Sequence, residues 1–478
     1  MSITITIPTT SVAVNDIDTD IGIEEQAATL RMRIAGQVLY PRDPAFAASC
    51  AAWNLRFEHH PAVVVVARTA NDIAEAVRFA HDHALQVTVQ ATGHGVGQAA
   101  NGGVLIITSS LDDVTVDAPA RTAHIAAGAK WGAVLGAAQQ HGLAPLLGSS
   151  SGVGAVGYTL GGGMGWLARQ HGLAADSVRS FDLVLADGTT TRASASEHPD
   201  LFWALRGGGA GTLAVVVAMT IELHPVGTVY AGNLLYPATM AGDVIRRYRD
   251  WVDGIDERMT SSVVLMNVPP LDTVPEPMRG KSFVIVRGCW NGDIAAGAEL
   301  VDEWRTWRTP AMDMFGPMPF TAVDTISNDP VDPLPAMVTT EWFDTLSDHA
   351  IDTLIAAAGP SPAGPPMLLL AELRHAGGAI RRNASGTAIS RGRTGELLLH
   401  TVALVFGPEH GAAVATFMDQ LRSELAADVT GDLYPNFLEG NERTDRIAAA
   451  FADDDLERFQ TIKATVDPDG RFATINRH

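Results

Sequence analysis

The chain has 478 residues, 46% hydrophobic and 18% charged, with 54 acidic against 33 basic side chains and a formal net charge of −21. That length suffices for about two or three domains with sizeable cores, and the acidic balance repels nucleic acid and anionic membranes, so neither is expected as a partner. Cys50 and Cys289 lie far apart and make neither a disulfide framework nor a CxxC metal or redox pair, so no metal site is expected.

Residues 1–37 are polar, with Asp16, Asp18, Asp20, Glu24 and Glu25, and are expected to be a loosely held arm. Met1 to Asp20 lacks a basic patch followed by a continuous apolar core, so no secretory signal is read and a cytoplasmic location follows by default. Val63–Val66 predicts a buried strand, Asn71 is expected to cap a helix whose Ile73, Val77 and Ala80 face a sheet, and Val87–Val89 predicts a second strand. This βαβ unit runs into Gln90-Ala91-Thr92-Gly93-His94-Gly95-Val96-Gly97. Glycines at 93, 95 and 97 let main chain approach an anion, and His94 is aimed at whatever the loop holds. A solvated loop histidine is the plainer alternative.

Gly102–Ile107 predicts a further strand, Val114–Asp117 with Ala123–Ala127 a hairpin, and Trp131–His141 a helix. Trp131 to Ala168 carries no Lys, Arg, Asp or Glu over 38 residues, yet eleven glycines and Pro145 exclude a lipid-facing helix and predict buried, tightly turned protein. A second glycine region falls here, Gly148–Gly157 continuing as Tyr158–Trp166, and a third cluster follows at Leu201–Gly209. From about residue 229 the texture changes to amphipathic helices at 244–252 and 300–307 and strands at 261–267, 282–290, 367–374 and 397–405, which predicts a domain built on an antiparallel sheet.

Gly152-Val153-Gly154-Ala155-Val156-Gly157 fits a dinucleotide fingerprint, with Asp176 about 20 residues on as the ribose acid. No buried strand runs directly into Gly152, so an NAD(P)-dependent dehydrogenase is the alternative reading and not the first.

Taken together and in order, the segments Val89–His94, Val156–Gly163, Leu201–Gly209, Glu372 with Gly377-Gly378-Ala379, Tyr434-Pro435-Asn436-Phe437, and Ile462-Lys463 with Asp467-Pro468 resemble the FAD-linked oxidases of the vanillyl-alcohol-oxidase superfamily. The branch is that of berberine-bridge-enzyme-like and 6-hydroxynicotine-oxidase-like proteins. The resemblance implies an α+β fold, with a two-part FAD-binding domain (PCMH-type) at 38–228 and 433–478 and an antiparallel-sheet substrate domain at 229–432 covering the flavin. It also implies FAD held by Thr92, Gly93, His94, Gly95, Gly97, Gly148, Ser150, Gly154, Gly157, Gly162 and Asn436. Covalent attachment is implied through His94 only, because Ser149, Ser150 and Ser151 stand where doubly attached relatives carry a cysteine. Gly211-Thr212-Leu213 replaces the family's Asn-Phe-Gly, and Met164 stands where some relatives carry a tyrosine, so a second phenol is not expected. Ala155 lies near the position that controls oxygen access in relatives.

The implied activity is an FAD-dependent oxidase acting on an alcohol or amine carbon of a small, natural-product-like substrate, by hydride transfer to flavin N5 with O2 as reoxidant. Tyr434 is the candidate base, although a phenol near its ordinary pKa of about 10 is a poor one. Glu372 and Arg374 share one strand face and His375 the other. These three and Met164 are candidate substrate contacts, with a surface salt link as the plainer reading of the charged pair. A flavin-binding protein without oxidative turnover is the third reading. No pattern in the sequence fixes an oligomeric state.

Overall fold

The computed structural model describes residues 17–270, 272, 274, 276–360, 366–382 and 386–475. The expected arm is in part a helix: Ile17–Arg33 packs Ala27 and Leu30 against the helix Ala70–Asp82, while residues 1–16 lie outside the described residues. A mostly polar segment with only these two fully buried apolar side chains among those described shows no apolar stripe, so periodicity did not announce it.

The βαβ unit forms a four-stranded sheet in the order Gln37–Leu39, Val63–Val66, Val104–Ile107, Val87–Gln90, antiparallel at the first pair and parallel thereafter. Its helix is capped by Thr69 and not by Asn71. Thr69 Oγ1 accepts from Asp72 N–H at 3.2 Å while the Asp72 carboxylate accepts from Thr69 N–H at 3.2 Å, a reciprocal capping box. Asp72 also accepts from Ala35 N–H and Arg68 N–H, so the preceding chain is pinned to the same carboxylate. The hairpin Val114–Asp117/Thr122–Ala126 belongs to a second, antiparallel sheet of five strands.

The third sheet has eight strands, all antiparallel, with central order Thr228–Pro237, Ser282–Trp290, Met259–Asn267, Leu370–His375, Leu397–Leu404, Ala336–Phe343. Alternation along these strands separates two faces. Val263, Val284, Val286, Leu373 and Leu399 form a core with the helices Ala241–Val252, Ile294–Trp307, Asp348–Ala358 and Gly407–Leu425. The opposite face carries Asn233, Arg287, Ser262, Glu372, Arg374 and His400 on successive strands in register. Among the described residues no helix is long and apolar enough to cross a membrane, and no group of three or more His, Cys, Asp or Glu side chains could hold a metal ion.

Candidate active site

The first glycine loop is braced from below. Gln90, at the end of its strand, donates to Ala51 O at 3.0 Å and meets His59 Nε2 at 3.1 Å, and His59 Nδ1 accepts from Ala100 N–H at 2.9 Å. Trp53 N–H donates to Thr92 O and Asn54 N–H to Gly93 O. Gly93 has φ +73°, and a Cβ there would stand 2.7 Å from the Ala52 backbone, so only glycine fits. Gly97 is closed off by the Arg443 side chain, whereas Gly95 has nothing within 4 Å of the position a Cβ would take. Half-buried His94 lies flat on Trp53, with ring centroids 4.5 Å apart and planes 14° apart, and its Nδ1 is 2.9 Å from Thr92 Oγ1. Burial, aided by the Lys130 cation, brings its pKa down to about 4, so the imidazole is neutral at neutral pH.

The second loop touches the first. A Cβ on Gly154 would lie 3.3 Å from Ala91 Cβ and 3.6 Å from Thr92 Oγ1. Ser149 Oγ donates to Asp329 at 2.6 Å, Ser151 bonds Asp324 through both its N–H and its hydroxyl, and Ser150 Oγ accepts from Gly152 N–H. Gly157, like Gly95, faces open space, and Ala155 is fully buried. Asp176 is committed elsewhere: both its carboxylate oxygens bind the fully buried guanidinium of Arg393, at 2.8 and 2.6 Å, so it is not the free ribose acid that a dinucleotide site requires.

The Gly161–Gly163 triplet is a packing floor. A Cβ on Gly161 would overlap Asn436 Oδ1, one on Gly162 would meet the Tyr434 ring at 3.2 Å, and one on Gly163 would press on the Tyr158 ring. Asn436 Nδ2 donates to Tyr158 O at 2.9 Å and reaches Tyr434 Oη at 3.4 Å, so it holds backbone in place and touches the candidate base. Tyr434 is 1% exposed, and burial pushes its pKa up to about 12 against the pull of Asn436 and Arg374. A second phenol is present after all. It comes from Tyr158 and not from position 164; among the described residues its buried hydroxyl has no hydrogen-bond partner, and burial raises its pKa.

Facing these loops, the polar stripe of the sheet is sealed. Glu372 is 2% exposed, accepts from Ser262 Oγ at 2.7 Å and Arg374 Nε at 2.8 Å, and has Arg287 at 3.7 Å. Burial alone would raise its pKa, but Arg374, Arg287 and Ser262 outweigh it and hold the carboxyl down to about 2. The surface salt link is therefore corrected to a buried charge network. Arg374 also sits over the Phe437 ring at 5.0 Å, and His400 stacks on Phe437 at 3.8 Å. Ser149, Met164, Trp166, Ser262, Arg374 and His375 are among the residues lining a cleft of about 20 Å³, room for one water. A larger cavity of about 660 Å³, bordered by Leu185, His198, Leu201 and Ile462, shares none of these residues.

Arg287, His400, Ser262, Tyr158 and Trp53 were not among the residues singled out from the sequence. For two of them a signal existed: Arg287 is the lone charge in Ser282–Trp290, and His400 interrupts an otherwise apolar or hydroxylic strand. A lone polar residue in a buried strand needs a partner; Arg287 finds Glu372 two strands away and Ser327 O, and His400 stacks on Phe437.

The FAD binding domain family matches residues 61–194. The uncharacterised FAD-linked oxidoreductase YgaK of Bacillus subtilis is 25% identical over 451 residues, covering 92% of this chain and 96% of its own length. The (R)-6-hydroxynicotine oxidase of Paenarthrobacter nicotinovorans is 34% identical over 195 residues, which is 40% of this chain and 42% of that protein. Among solved structures, the berberine-bridge-enzyme-like protein 1 of Physcomitrella patens superposes with a TM-score of 0.82 at 19% identity, covering 95% of this chain and 100% of the other. The 6-hydroxy-D-nicotine oxidase of Arthrobacter nicotinovorans does so at 0.80 and 20% identity, covering 93% and 98%.

Proposed function

We propose, for a chain that is an FAD-dependent oxidoreductase with the berberine-bridge-enzyme-like fold, that it oxidises an alcohol or amine carbon of a small, natural-product-like substrate and passes the electrons on to O2. The observation that carries this reading is the meeting of the two glycine loops with the sealed polar stripe at Arg374, Tyr434 and Tyr158. The residues fit the cofactor: two touching loops offer backbone N–H groups, Gly95 and Gly157 leave open space, and among the described residues the buried Tyr158 hydroxyl lacks a partner. Thr92, Gly93, His94, Gly95 and Gly97 with Gly148, Ser150, Gly154 and Gly157 would hold FAD, His94 covalently and alone. Gly162 and Asn436 would support it from beneath.

Bound flavin supplies a hydride acceptor at N5. The protein must then take the proton from the adjacent O–H or N–H. Tyr434 Oη, as the phenolate, is the proposed acceptor, with the Arg374 guanidinium favouring that phenolate before the proton arrives. Glu372 keeps Arg374 aligned. Met164 and His375 line the same cleft as Arg374.

The test is the visible spectrum of purified protein before and after acid precipitation, followed by anaerobic mixing with panels of small secondary alcohols and heterocyclic amines. Yellow protein whose colour stays in the acid pellet, bleaches with one panel and returns in air is the expected result. In His94→Ala the colour should leave the pellet. Protein that stays colourless after incubation with FAD would overturn the reading, and flavin that no panel ever bleaches would favour a carrier without turnover.

A further inference from the structure

Away from the site described above, the cavity of about 660 Å³ has the size of a small-molecule site. Its walls come from the end of helix Ala70–Asp82, the turn after strand Val178–Val184, the first turn of helix Pro199–Gly208, and helix Asp453–Val466 with the Pro468-Asp469 that follows it. Leu185, Ile462 and Val466 pack against the main core on one side and are only half-buried, so they give the cavity an apolar surface that a ligand would remove from water.

The charge on the walls has one sign. Asp187, Asp200 and Asp469 are exposed carboxylates, and among the described residues neither Lys nor Arg lines the cavity; His81 and His198 are the other ionisable groups there. The three charges are only partly met. His81 Nδ1 lies 3.7 Å from Asp469 and is buried with no hydrogen-bond partner among the described residues. Asp200 pairs with Arg458, whose guanidinium is held outside the lining, 4.1 Å over the Trp203 ring. Asp187 accepts from the N–H and the hydroxyl of Thr189, at 2.8 and 2.7 Å, neutral donors that leave its charge in place.

An anion is repelled by such a wall. A metal ion does not suit it, because among the described residues no group of three or more His, Cys, Asp or Glu side chains could hold one. We infer that this cavity binds an organic cation, a protonated amine carried on an apolar, ring-sized body, with the body against Leu185, Ile462 and Val466 and the ammonium among Asp187, Asp200 and Asp469. The site shares no residue with the cleft at Arg374 and stands independently of the reaction proposed there.

The test uses three probes of one shape and different charge on the purified full chain: para-(aminomethyl)benzophenone, a cation at neutral pH, the neutral para-(hydroxymethyl)benzophenone and the anionic para-benzoylbenzoate. Equilibrium dialysis should show saturable binding of the cation, about fivefold or more tighter than the neutral probe and weakened by added salt, and no binding of the anion. Irradiation of the cation complex should attach the probe to peptides spanning 185–201 and 453–469. Thr465→Trp, at an exposed helix position on the cavity wall, puts an indole into the space and should abolish that labelling. The double variant Asp187→Asn, Asp469→Asn should weaken the cation about fivefold and leave the neutral probe unchanged. Labelling confined to other peptides, equal affinity for all three probes, or unaltered labelling in a Thr465→Trp protein that melts like wild type would each overturn the assignment. Should Thr465→Trp not fold, the map of labelled peptides in the wild type decides.

Discussion

At the scale of single residues, burial decides which groups can exchange protons. Tyr434, pushed up to about 12 by burial, is nearly all phenol at neutral pH, so its use as a base depends on the Arg374 guanidinium favouring the phenolate before substrate reacts. Tyr434→Phe should keep normal flavin content and slow anaerobic flavin reduction about 10²- to 10⁴-fold; a few-fold change with an unaltered pH profile would reduce the phenol to a binding role. Glu439 offers a test through stability. Burial lifts its pKa to about 7 although Asn54 donates to it at 3.0 Å. Between its ordinary value near 4.5 and about 7 the folded state holds a proton that the unfolded chain has released, so stability falls as pH rises through that window. Glu439→Gln should therefore be more stable than wild type at pH 8 by about 2–3 kcal/mol and lose that advantage below about pH 5. Equal urea midpoint differences at both pH values would refute this.

At the scale of elements, what was legible in the sequence was what repeats. The strands of the large sheet stand out as nearly continuous apolar runs, and the strand that delivers His94 as an apolar run entering glycines. Short-range polarity was less legible. Asn71 and Thr69 are both good caps, and the choice fell to Thr69 because Asp72 three residues on completes the box. Within the glycine regions, composition could not separate residues facing open space, such as Gly95 and Gly157, from those forced by packing, such as Gly161. The distinction has a measurable form. Gly161→Ala should cost about 1–3 kcal/mol by overpacking against Asn436, and in a cycle with Asn436→Ala the two changes should couple by more than about 0.5 kcal/mol. Additive losses would mean that the triplet is not held by that contact.

At the scale of the whole molecule, the half that carries the glycine loops is bound to the large sheet by a shared apolar core and by buried, fully engaged polar groups. Arg169, 5% exposed, gives its guanidinium to four carbonyls, those of Ala376, Asp256, Met259 and Ile255. Arg169→Met fills similar volume but leaves those acceptors unpartnered, and should lower the unfolding free energy by about 3 kcal/mol or more. A loss within experimental error would show that water takes over the role. The resemblance of scattered motifs was readable along the chain, yet the stripe from Asn233 to His400 was not, because each strand contributes only one or two polar residues and register alone gathers them.

Asn54 is a junction between three segments distant in sequence. Its side chain exchanges two hydrogen bonds with Ala336 on the large sheet and one with Glu439 on the returning tail, while its N–H holds Gly93. Beside it, Trp53 carries the His94 ring on one face and Val331 at its far edge. The ring is therefore oriented only once sheet, tail and loop have met. On the proposed attachment at His94, acid-stable colour would serve as a clock for maturation: it would record when a chain has finished assembling, and its fraction in a freshly made preparation would count the molecules that have done so.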